Sequence, residues 1–140
     1  MKKKKTKGSV LVVEDDMLLS LVETRIIEKL GYSVVGKATS GEEAVDLVKD
    51  LKPQVVVMDV SLKGKLNGID ASNLIRQFSN VPVIFLSGNT DPASMKNAKS
   101  VGNTEYLVKP IIADDIVIPL KRAVKNGTGS GNKSRISEAS

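Results

Sequence analysis

Cysteine and histidine are both absent from the 140 residues of this chain. Without cysteine the protein has no disulfide and no thiolate chemistry, which fits a reducing compartment. Without histidine it has no histidine metal site, no histidine general base and no histidine that could carry a phosphoryl group. The composition therefore excludes several common classes of metal site and acid–base catalyst.

Long apolar runs are missing as well. No run approaches the roughly 18 residues that a membrane-spanning helix needs. The start, Met1–Lys7, lacks the apolar centre of a signal peptide. The length suits one domain that can bury most of its apolar surface. We therefore expect a soluble cytoplasmic protein with no membrane partner.

The net charge of +5 comes from the ends of the chain. Residues 8–126 hold 14 of the 21 basic and 15 of the 16 acidic residues, which leaves a net charge of −1 for this stretch. Such terminal charge runs favour solvated tails over a nucleic-acid or membrane-surface site. We predict a basic disordered tail at 1–7, one domain at 8–126, and a flexible Gly- and Ser-rich tail at 127–140.

The body of the chain alternates strand-like and helix-like segments. Continuous apolar runs are typical of strands buried on both faces, and apolar residues three or four apart are typical of helices. Strands are predicted at 10–13, 32–38, 54–58, 82–86 and 105–108, and helices at 18–30, 41–51, 68–78, 92–102 and 114–126. Such alternation predicts an α/β fold with a parallel sheet and helices on both faces.

Several residues mark the ends and faces of these helices. In the first helix, Leu19, Val22, Ile26 and Leu30 recur at helical spacing. The pattern Ser40–Glu43 predicts a capping box, in which each side chain accepts a bond from the other residue's backbone.

The fourth and fifth helices carry proline. Asp91 before Pro92 predicts a helix cap followed by proline in the first turn. Pro119 lies inside the last predicted helix, where proline costs about 3 kcal/mol. We therefore expect a late start or a kink there, and Gly127 is expected to end that helix.

Polar residues follow four of the predicted strands directly. They are Glu14, Asp15, Asp59, Ser87 and Lys109. The carboxyl ends of parallel strands are where ligands bind in open α/β sheets. Three carboxylates, a hydroxyl and an ammonium at one edge can hold a hard cation such as Mg²⁺ and handle a phosphoryl group. Asp59 is the candidate nucleophile, because it could form an acyl phosphate.

Each of these residues also has a simpler explanation. Acids such as Glu14, Asp15 and Asp16 are stabilised by the dipole of a helix that begins beside them. Ser87 alone could be an ordinary strand-end hydroxyl, and Lys109 alone an ordinary surface lysine. The joint pattern, in which all four sites fall at the ends of different strands, favours the functional interpretation.

The sequence resembles the receiver (CheY-like) domain of two-component response regulators over about residues 8–126. The motifs that carry the resemblance are Leu11–Asp16, Val57–Asp59, Leu86–Gly88 and Tyr106–Pro110. Together they are highly specific, although none would suffice alone. The resemblance implies a doubly wound (βα)5 flavodoxin-like fold with strand order 2-1-3-4-5.

The resemblance also implies a role for each matching residue at the metal site. Asp59 would be the phosphoacceptor and a ligand of Mg²⁺. Asp15 would bind the metal directly, and Glu14 would act through water. The backbone carbonyl of Ser61 would complete the site.

A second group of residues would bind phosphate and switch the surface. Ser87 would be the switch hydroxyl, and Tyr106 the aromatic that changes rotamer when Ser87 moves. Lys109 would bind the phosphoryl oxygens. The Lys109–Pro110 peptide is expected to be cis.

Two features depart from the family pattern. The loop over residues 60–68 is one residue longer than the commonest form and lacks the usual proline. Pro119 lies in a helix that the family commonly uses to contact partners. In such receivers Ser61 and Asn89 also lie where the lifetime of the phosphorylated state is often tuned.

The leading hypothesis is a signalling receiver that takes a phosphoryl group from a histidine kinase or a phosphotransfer protein. It would catalyse only its own phosphorylation and dephosphorylation, and an unknown downstream protein would read its surface. No DNA-reading helix is apparent after residue 126, so no direct DNA binding is expected. A monomer or a weak dimer fits the sequence.

Alternatives remain. The chain could be a receiver cut from a larger response regulator or hybrid kinase. An aspartyl-phosphate phosphatase would use Asp59 as nucleophile, but such enzymes place a second acid two residues on, where this chain has Ser61. A flavodoxin-like carrier or a P-loop protein would need a phosphate-cradling loop, and the loop after the first strand is acidic.

Overall fold

The computed structural model describes residues 5–88 and 92–128, without the side chains of the last two. Asp91, Asn89 and most of the two predicted tails therefore lie outside the described residues. The ten elements in chain order are β1 (Ser9–Val13), α1 (Met17–Lys29), β2 (Ser33–Ala38), α2 (Gly41–Leu51), β3 (Val55–Asp59), α3 (Gly68–Arg76), β4 (Val83–Ser87), α4 (Pro92–Val101), β5 (Thr104–Val108) and α5 (Ala113–Thr128).

The five strands form one parallel sheet in the order β2-β1-β3-β4-β5. The predicted doubly wound fold and strand order are thus confirmed. Every residue of β3 and β4 is buried, as their uninterrupted apolar runs predicted. None of the helices within the described ranges is long and apolar enough to cross a membrane.

The sheet separates two apolar cores, because successive side chains of a strand point to opposite faces. Leu11, Val56 and Phe85 pack with α2, α3 and α4 on one face. Val12 and Val57 pack with α1 and α5 on the other face. Three helices therefore cover one face of the sheet and two helices cover the other face.

The buried face of α1 differs from the predicted one. The buried residues of this helix are Ser20, Glu23, Thr24 and Ile27. Val22, predicted as part of the apolar stripe, is 45% exposed, and the remaining three residues of that stripe are only partly buried. The helix is rotated so that two polar residues and an acid face the sheet.

The helix caps agree with the sequence in part. The Ser40 hydroxyl accepts the amide of Glu43 at 3.1 Å. The Glu43 carboxylate, however, accepts the amide of Thr39 at 2.8 Å, so the predicted box lacks its reciprocal bond. A complete capping box, which the sequence analysis missed, begins α3, where Asn67 and Asp70 exchange bonds at 2.8 and 3.4 Å.

The expected late start of α5 is wrong. The helix runs through Pro119 and continues past Gly127, which therefore does not end it. Ile116 and Leu120 on either side of the proline are fully buried. Burying two such side chains stabilises the helix by about 3–6 kcal/mol, which offsets the roughly 3 kcal/mol that interior proline costs.

Gly68 lets the loop after β3 return close to the sheet. Its amide donates to the carbonyl of Val60 at 3.0 Å. A Cβ at this position would lie 2.9 Å from Cγ of Met58 and would overlap the backbone carbonyl of Asp59. No larger residue fits without moving the end of β3.

A Gly68→Ala variant is expected to lose about 1–3 kcal/mol of unfolding free energy, because the added methyl group must displace backbone. Urea unfolding followed by circular dichroism measures this loss. Gly88→Ala is the control, since a Cβ there meets nothing within 4 Å. Equal stability of the two variants would show that the loop can relax around the methyl group.

Candidate functional site

Three carboxylates meet at the carboxyl edge of the sheet. Glu14 and Asp15 follow β1, and Asp59 ends the neighbouring strand β3. One ligand oxygen from each of the three lies within 4.8 Å of the others. Glu14 is 1% and Asp59 2% exposed, while Asp15 is half-buried. A cluster of hard oxygen donors with this spacing fits a divalent cation such as Mg²⁺.

Lys109 is the cation that the fold brings to this cluster. Its Nζ lies 3.2 Å from Oε1 of Glu14 and 3.4 Å from Oδ1 of Asp59. Burial alone lowers the pKa of Lys109, but the charges of Asp59 and Glu14 outweigh burial and hold that pKa above its ordinary value. Burial, followed by the charge of Asp59, raises the pKa of Glu14. One lysine thus only partly compensates three buried or half-buried acids.

Backbone amides orient the carboxylates. The amide of Ser61 donates to Oδ1 of Asp59 at 3.0 Å, and the amide of Lys63 donates to Oδ2 of Asp15 at 3.1 Å. Both amides belong to the long loop after β3. The path of that loop could not be predicted from the sequence. In the structure the loop orients two of the three carboxylates.

Ser87 and Lys109 lie side by side at the ends of the next two strands. Ser87 ends β4, one residue past Leu86, which is the register partner of Asp59. Ser87 is 1% exposed, and its carbonyl accepts the amide of Lys109 at 2.7 Å. The following Lys109–Pro110 peptide bond is cis.

Tyr106 occupies the middle of β5 and is half-buried against the core on the α2–α4 face. Its hydroxyl lies 3.4 Å from Oγ of Ser94 on α4. Ser94 was not singled out from the sequence, because an isolated serine in a polar helix carries no recognisable signal. The contact gives the tyrosine a direct connection to α4.

Glu23 is the other residue at the site that sequence reasoning missed. It lies on the buried face of α1 and is 3% exposed. Burial, together with the charge of nearby Glu14, raises the pKa of Glu23 to about 9. Its Oε1 is buried without a hydrogen-bond partner among the described residues. Its position four residues before Ile27 was the available signal, since an acid at this spacing falls on the core side of a helix.

Comparison with known proteins identifies the family. The family described as "Response regulator receiver domain" matches residues 10–121. The chain belongs to this family. The resemblance inferred from the four motifs is therefore confirmed, and with it the class of signalling domain found in two-component systems.

The similar proteins differ in length. The receiver is 36% identical to the chemotaxis protein CheY of Thermotoga maritima, over 83% of this chain and 97% of that protein. It is 33% identical to the transcriptional regulatory proteins YvrH of Bacillus subtilis and PdtaR of Mycobacterium tuberculosis. These matches cover 90% and 82% of this chain but only 54% and 56% of the two regulators. The chain thus spans about half the length of YvrH and PdtaR.

Solved receiver structures have the same fold. The signal receiver domain of a modulated diguanylate cyclase from Desulfovibrio desulfuricans superposes with a TM-score of 0.79 at 34% identity, over 86% of this chain and 96% of that one. The receiver of the response regulator NarL from Mycobacterium tuberculosis gives 0.81 at 25% identity, over 87% and 99% of the chains. The parallel sheet and its five helices are those of receiver domains.

Proposed function

We propose that this receiver accepts a phosphoryl group on Asp59 in the presence of Mg²⁺. The observation that carries the proposal is the meeting of three carboxylates and the Lys109 ammonium at one buried edge of the sheet. Asp15, Asp59 and the backbone carbonyl of Ser61 would hold the metal ion, with Glu14 acting through water. The bound ion would supply positive charge to the phosphoryl oxygens.

The side chains then have separate tasks during transfer. A carboxylate oxygen of Asp59 attacks phosphorus, the P–N bond to the donor histidine breaks, and the new P–O bond forms an acyl phosphate. The amide of Ser61 donates to Oδ1 of Asp59 and thereby keeps this carboxylate oriented. Lys109 already lies beside Asp59, and it follows the phosphoryl oxygens as they take up negative charge.

In this proposal Ser87 and Tyr106 transmit the effect of phosphorylation from Asp59 to the protein surface. Ser87 moves toward the phosphoryl group, and Tyr106 takes the space that Ser87 leaves. Because the Tyr106 hydroxyl contacts Ser94, its movement also changes the position of α4. Phosphorylation thereby shifts the balance between two surfaces, and a partner binds one of them.

The 140 residues contain no histidine, so a phosphohistidine donor would lie outside them. A sensor histidine kinase or a histidine phosphotransfer protein fits this requirement. The receiver would act as a switch that catalyses only its own phosphorylation and dephosphorylation. An aspartyl-phosphate phosphatase is less well supported, since Ser61 occupies the position of the second acid that such enzymes use.

The relatives differ in how much of their length this receiver matches. They therefore support two proposals for how the receiver acts on its downstream partner. The match to almost all of CheY supports a receiver that acts alone. The matches to half of YvrH and PdtaR support a receiver domain, over about residues 8–126, that regulates an attached output domain. In both versions the downstream partner contacts a surface that depends on phosphorylation.

Removal of Mg²⁺ tests the proposal directly. After incubation with acetyl phosphate and Mg²⁺, the protein is expected to gain the mass of one phosphoryl group, and with excess EDTA it is expected to gain none. The measurement is intact mass spectrometry. Beryllofluoride, a stable mimic of the acyl phosphate, provides a second measurement if the phosphoryl group is lost quickly. Failure to gain mass and to bind beryllofluoride, with the protein folded, would contradict the proposal.

A further inference from the structure

Helix α4 is packed into the fold mainly at its carboxyl-terminal end. Its buried residues, Ala98 and Val101, both lie in its carboxyl-terminal half. In the amino-terminal half, residues 92–97, every side chain is exposed except that of Ser94, which is half-buried. A segment that buries few apolar contacts moves at a low cost in free energy. The amino-terminal half of α4 is therefore the part of this helix that moves most easily.

Arg76 fastens the turn that follows α4 to the end of α3. It is the last residue of α3, and its guanidinium donates to the carbonyl of Gly102 from Nε at 3.2 Å and from Nη2 at 2.8 Å. The same Nη2 also donates to the carbonyl of Asn103 at 3.4 Å, and Nη1 donates to the carbonyl of Ser79 at 3.1 Å. One side chain thus joins α3, the loop after it, and the turn between α4 and β5.

The positive charge of Arg76 is compensated by these carbonyl oxygens. None of the ion pairs within the described ranges involves this residue. Because a guanidinium stays protonated in proteins, its bonds to the carbonyls are charge-assisted and roughly twice as strong as neutral ones. The planar group also fixes the relative position of its acceptors. Arg76 therefore resists movement of the turn after α4.

Two further side chains hold the same turn. Nδ2 of Asn103 donates to the carbonyl of Asn80 at 2.7 Å, and the Thr104 hydroxyl donates to the carbonyl of Ala98 at 3.1 Å. The backbone is bent sharply here, with φ of 85° at Gly102 and 56° at Asn103. Hinges commonly consist of a few residues at the end of an element. This turn has both the position and the attachments of a hinge.

Tyr106 meets α4 near its other end. The Tyr106 hydroxyl lies 3.4 Å from Oγ of Ser94, which precedes Gly102 in the chain by two helical turns. At a rise of about 1.5 Å per residue, this contact lies about 12 Å from the turn along the helix axis. A displacement at Ser94 therefore swings the amino-terminal half of α4 while its carboxyl-terminal end stays attached.

We propose that α4 is hinged at the turn formed by Gly102 and Asn103, and that Arg76 is the positioning residue that holds this hinge. Phosphorylation then moves the amino-terminal half of α4, residues 92–97, and leaves the carboxyl-terminal end in place. The inference rests on the proposed function, in which Tyr106 moves when Asp59 is phosphorylated. The surface that changes is therefore the exposed amino-terminal half of the helix.

A purely structural role for Arg76 predicts a different result. Removal of a side chain that only stabilises the fold lowers the free energy of unfolding, and the slowly exchanging amides of the whole protein then exchange faster together. Removal of a hinge anchor acts locally, on the turn that it holds. The two roles therefore differ in where amide hydrogen exchange changes, which NMR measures residue by residue.

Two variants are compared with wild type. Arg76→Met removes the hydrogen bonds of the guanidinium and keeps an unbranched side chain. Arg25→Met is the matched control, since Arg25 is exposed on α1. Amide exchange and chemical shifts are measured by NMR with and without Mg²⁺ and beryllofluoride. Fluorine NMR reports beryllofluoride binding separately.

In the free protein, Arg76→Met is expected to speed exchange of the Val101 and Gly102 amides about 10-fold or more, because bonds to a charged donor are lost. Exchange in the buried strand β3 is expected to change much less, and Arg25→Met is expected to match wild type at both places. Equal acceleration at β3 and at the turn would overturn the inference, because it would show that Arg76 only stabilises the fold.

With Mg²⁺ and beryllofluoride, the amide shifts of residues 93–97 of wild type are expected to change while those of residues 101–103 stay the same. In Arg76→Met the changes are expected to reach residues 101–103. Wild-type shifts that change equally along the whole helix would overturn the hinge. An Arg76→Met protein that behaves like wild type in both measurements would also overturn it.

A second variant covers the case in which Arg76→Met does not fold. Asn103→Gly removes the bond to Asn80 and keeps a residue that readily adopts positive φ, and the same criteria apply to it. Absence of beryllofluoride binding by wild type would overturn the proposed function. The exchange rates of the free proteins test the hinge by themselves, so the two failures are distinguishable.

Discussion

An Asp59→Asn variant is expected to gain no phosphoryl group from acetyl phosphate and Mg²⁺ under conditions in which the wild-type protein gains one. The amide of asparagine is not a nucleophile, whereas the carboxylate of Asp59 is the candidate nucleophile at the centre of the site. The substitution keeps the shape of the side chain and an oxygen that can accept the amide of Ser61. Intact mass spectrometry over a time course measures the result.

The matched control for this experiment is Asp16→Asn. Asp16 lies beside the site but is exposed, and its side chain caps α1 by accepting the amide of Leu19 at 3.0 Å. Asparagine caps helices as well as aspartate does, so this variant is expected to gain a phosphoryl group like wild type. Phosphorylation of Asp59→Asn at the wild-type rate would rule out Asp59 as the acceptor.

A Lys109→Met variant is expected to accept the phosphoryl group about 10²-fold more slowly than wild type. Loss of one donor that stabilises developing negative charge typically has an effect of this size. The same variant is expected to bind Mg²⁺ more tightly, because Lys109 places a positive charge next to the acids that would hold the ion. The two effects have opposite signs and are measured by mass spectrometry and calorimetry.

Lys121→Met is the control for the loss of a lysine, since Lys121 is exposed on α5 away from the acids. Phosphorylation and Mg²⁺ affinity of this variant should match wild type. A Lys109→Met protein that is phosphorylated at the wild-type rate would show that the lysine serves only to compensate Glu14 and Asp59.

The fold was predictable because three of its strands contain continuous apolar runs that are easily recognised in the sequence. Within β1, β3 and β4, residues 10–13, 55–58 and 83–86 are apolar throughout, which is the pattern of strands covered on both faces. The polar residues that follow the strands were predicted to meet, and the structure places Glu14, Asp15, Asp59 and Lys109 together. Here local sequence and tertiary structure agree.

The sequence failed where a tertiary contact decides the outcome. The apolar stripe of α1 suggested one buried face, yet the helix buries Glu23 on the side of the sheet, where the charge of Glu14 contributes to the raised pKa of Glu23. Pro119 suggested a late start or a kink, yet α5 already begins at Ala113, six residues before the proline. Helix propensity and the apolar spacing within one helix do not determine which tertiary contacts that helix makes.

The division of the molecule into two cores has a consequence for how it can be altered. The backbone of the sheet separates the side chains packed on α1 and α5 from those packed on α2, α3 and α4. Substitutions that do not touch one another have nearly additive effects on folding free energy. Core substitutions on one side of the sheet are therefore expected to change the folding free energy independently of core substitutions on the other side.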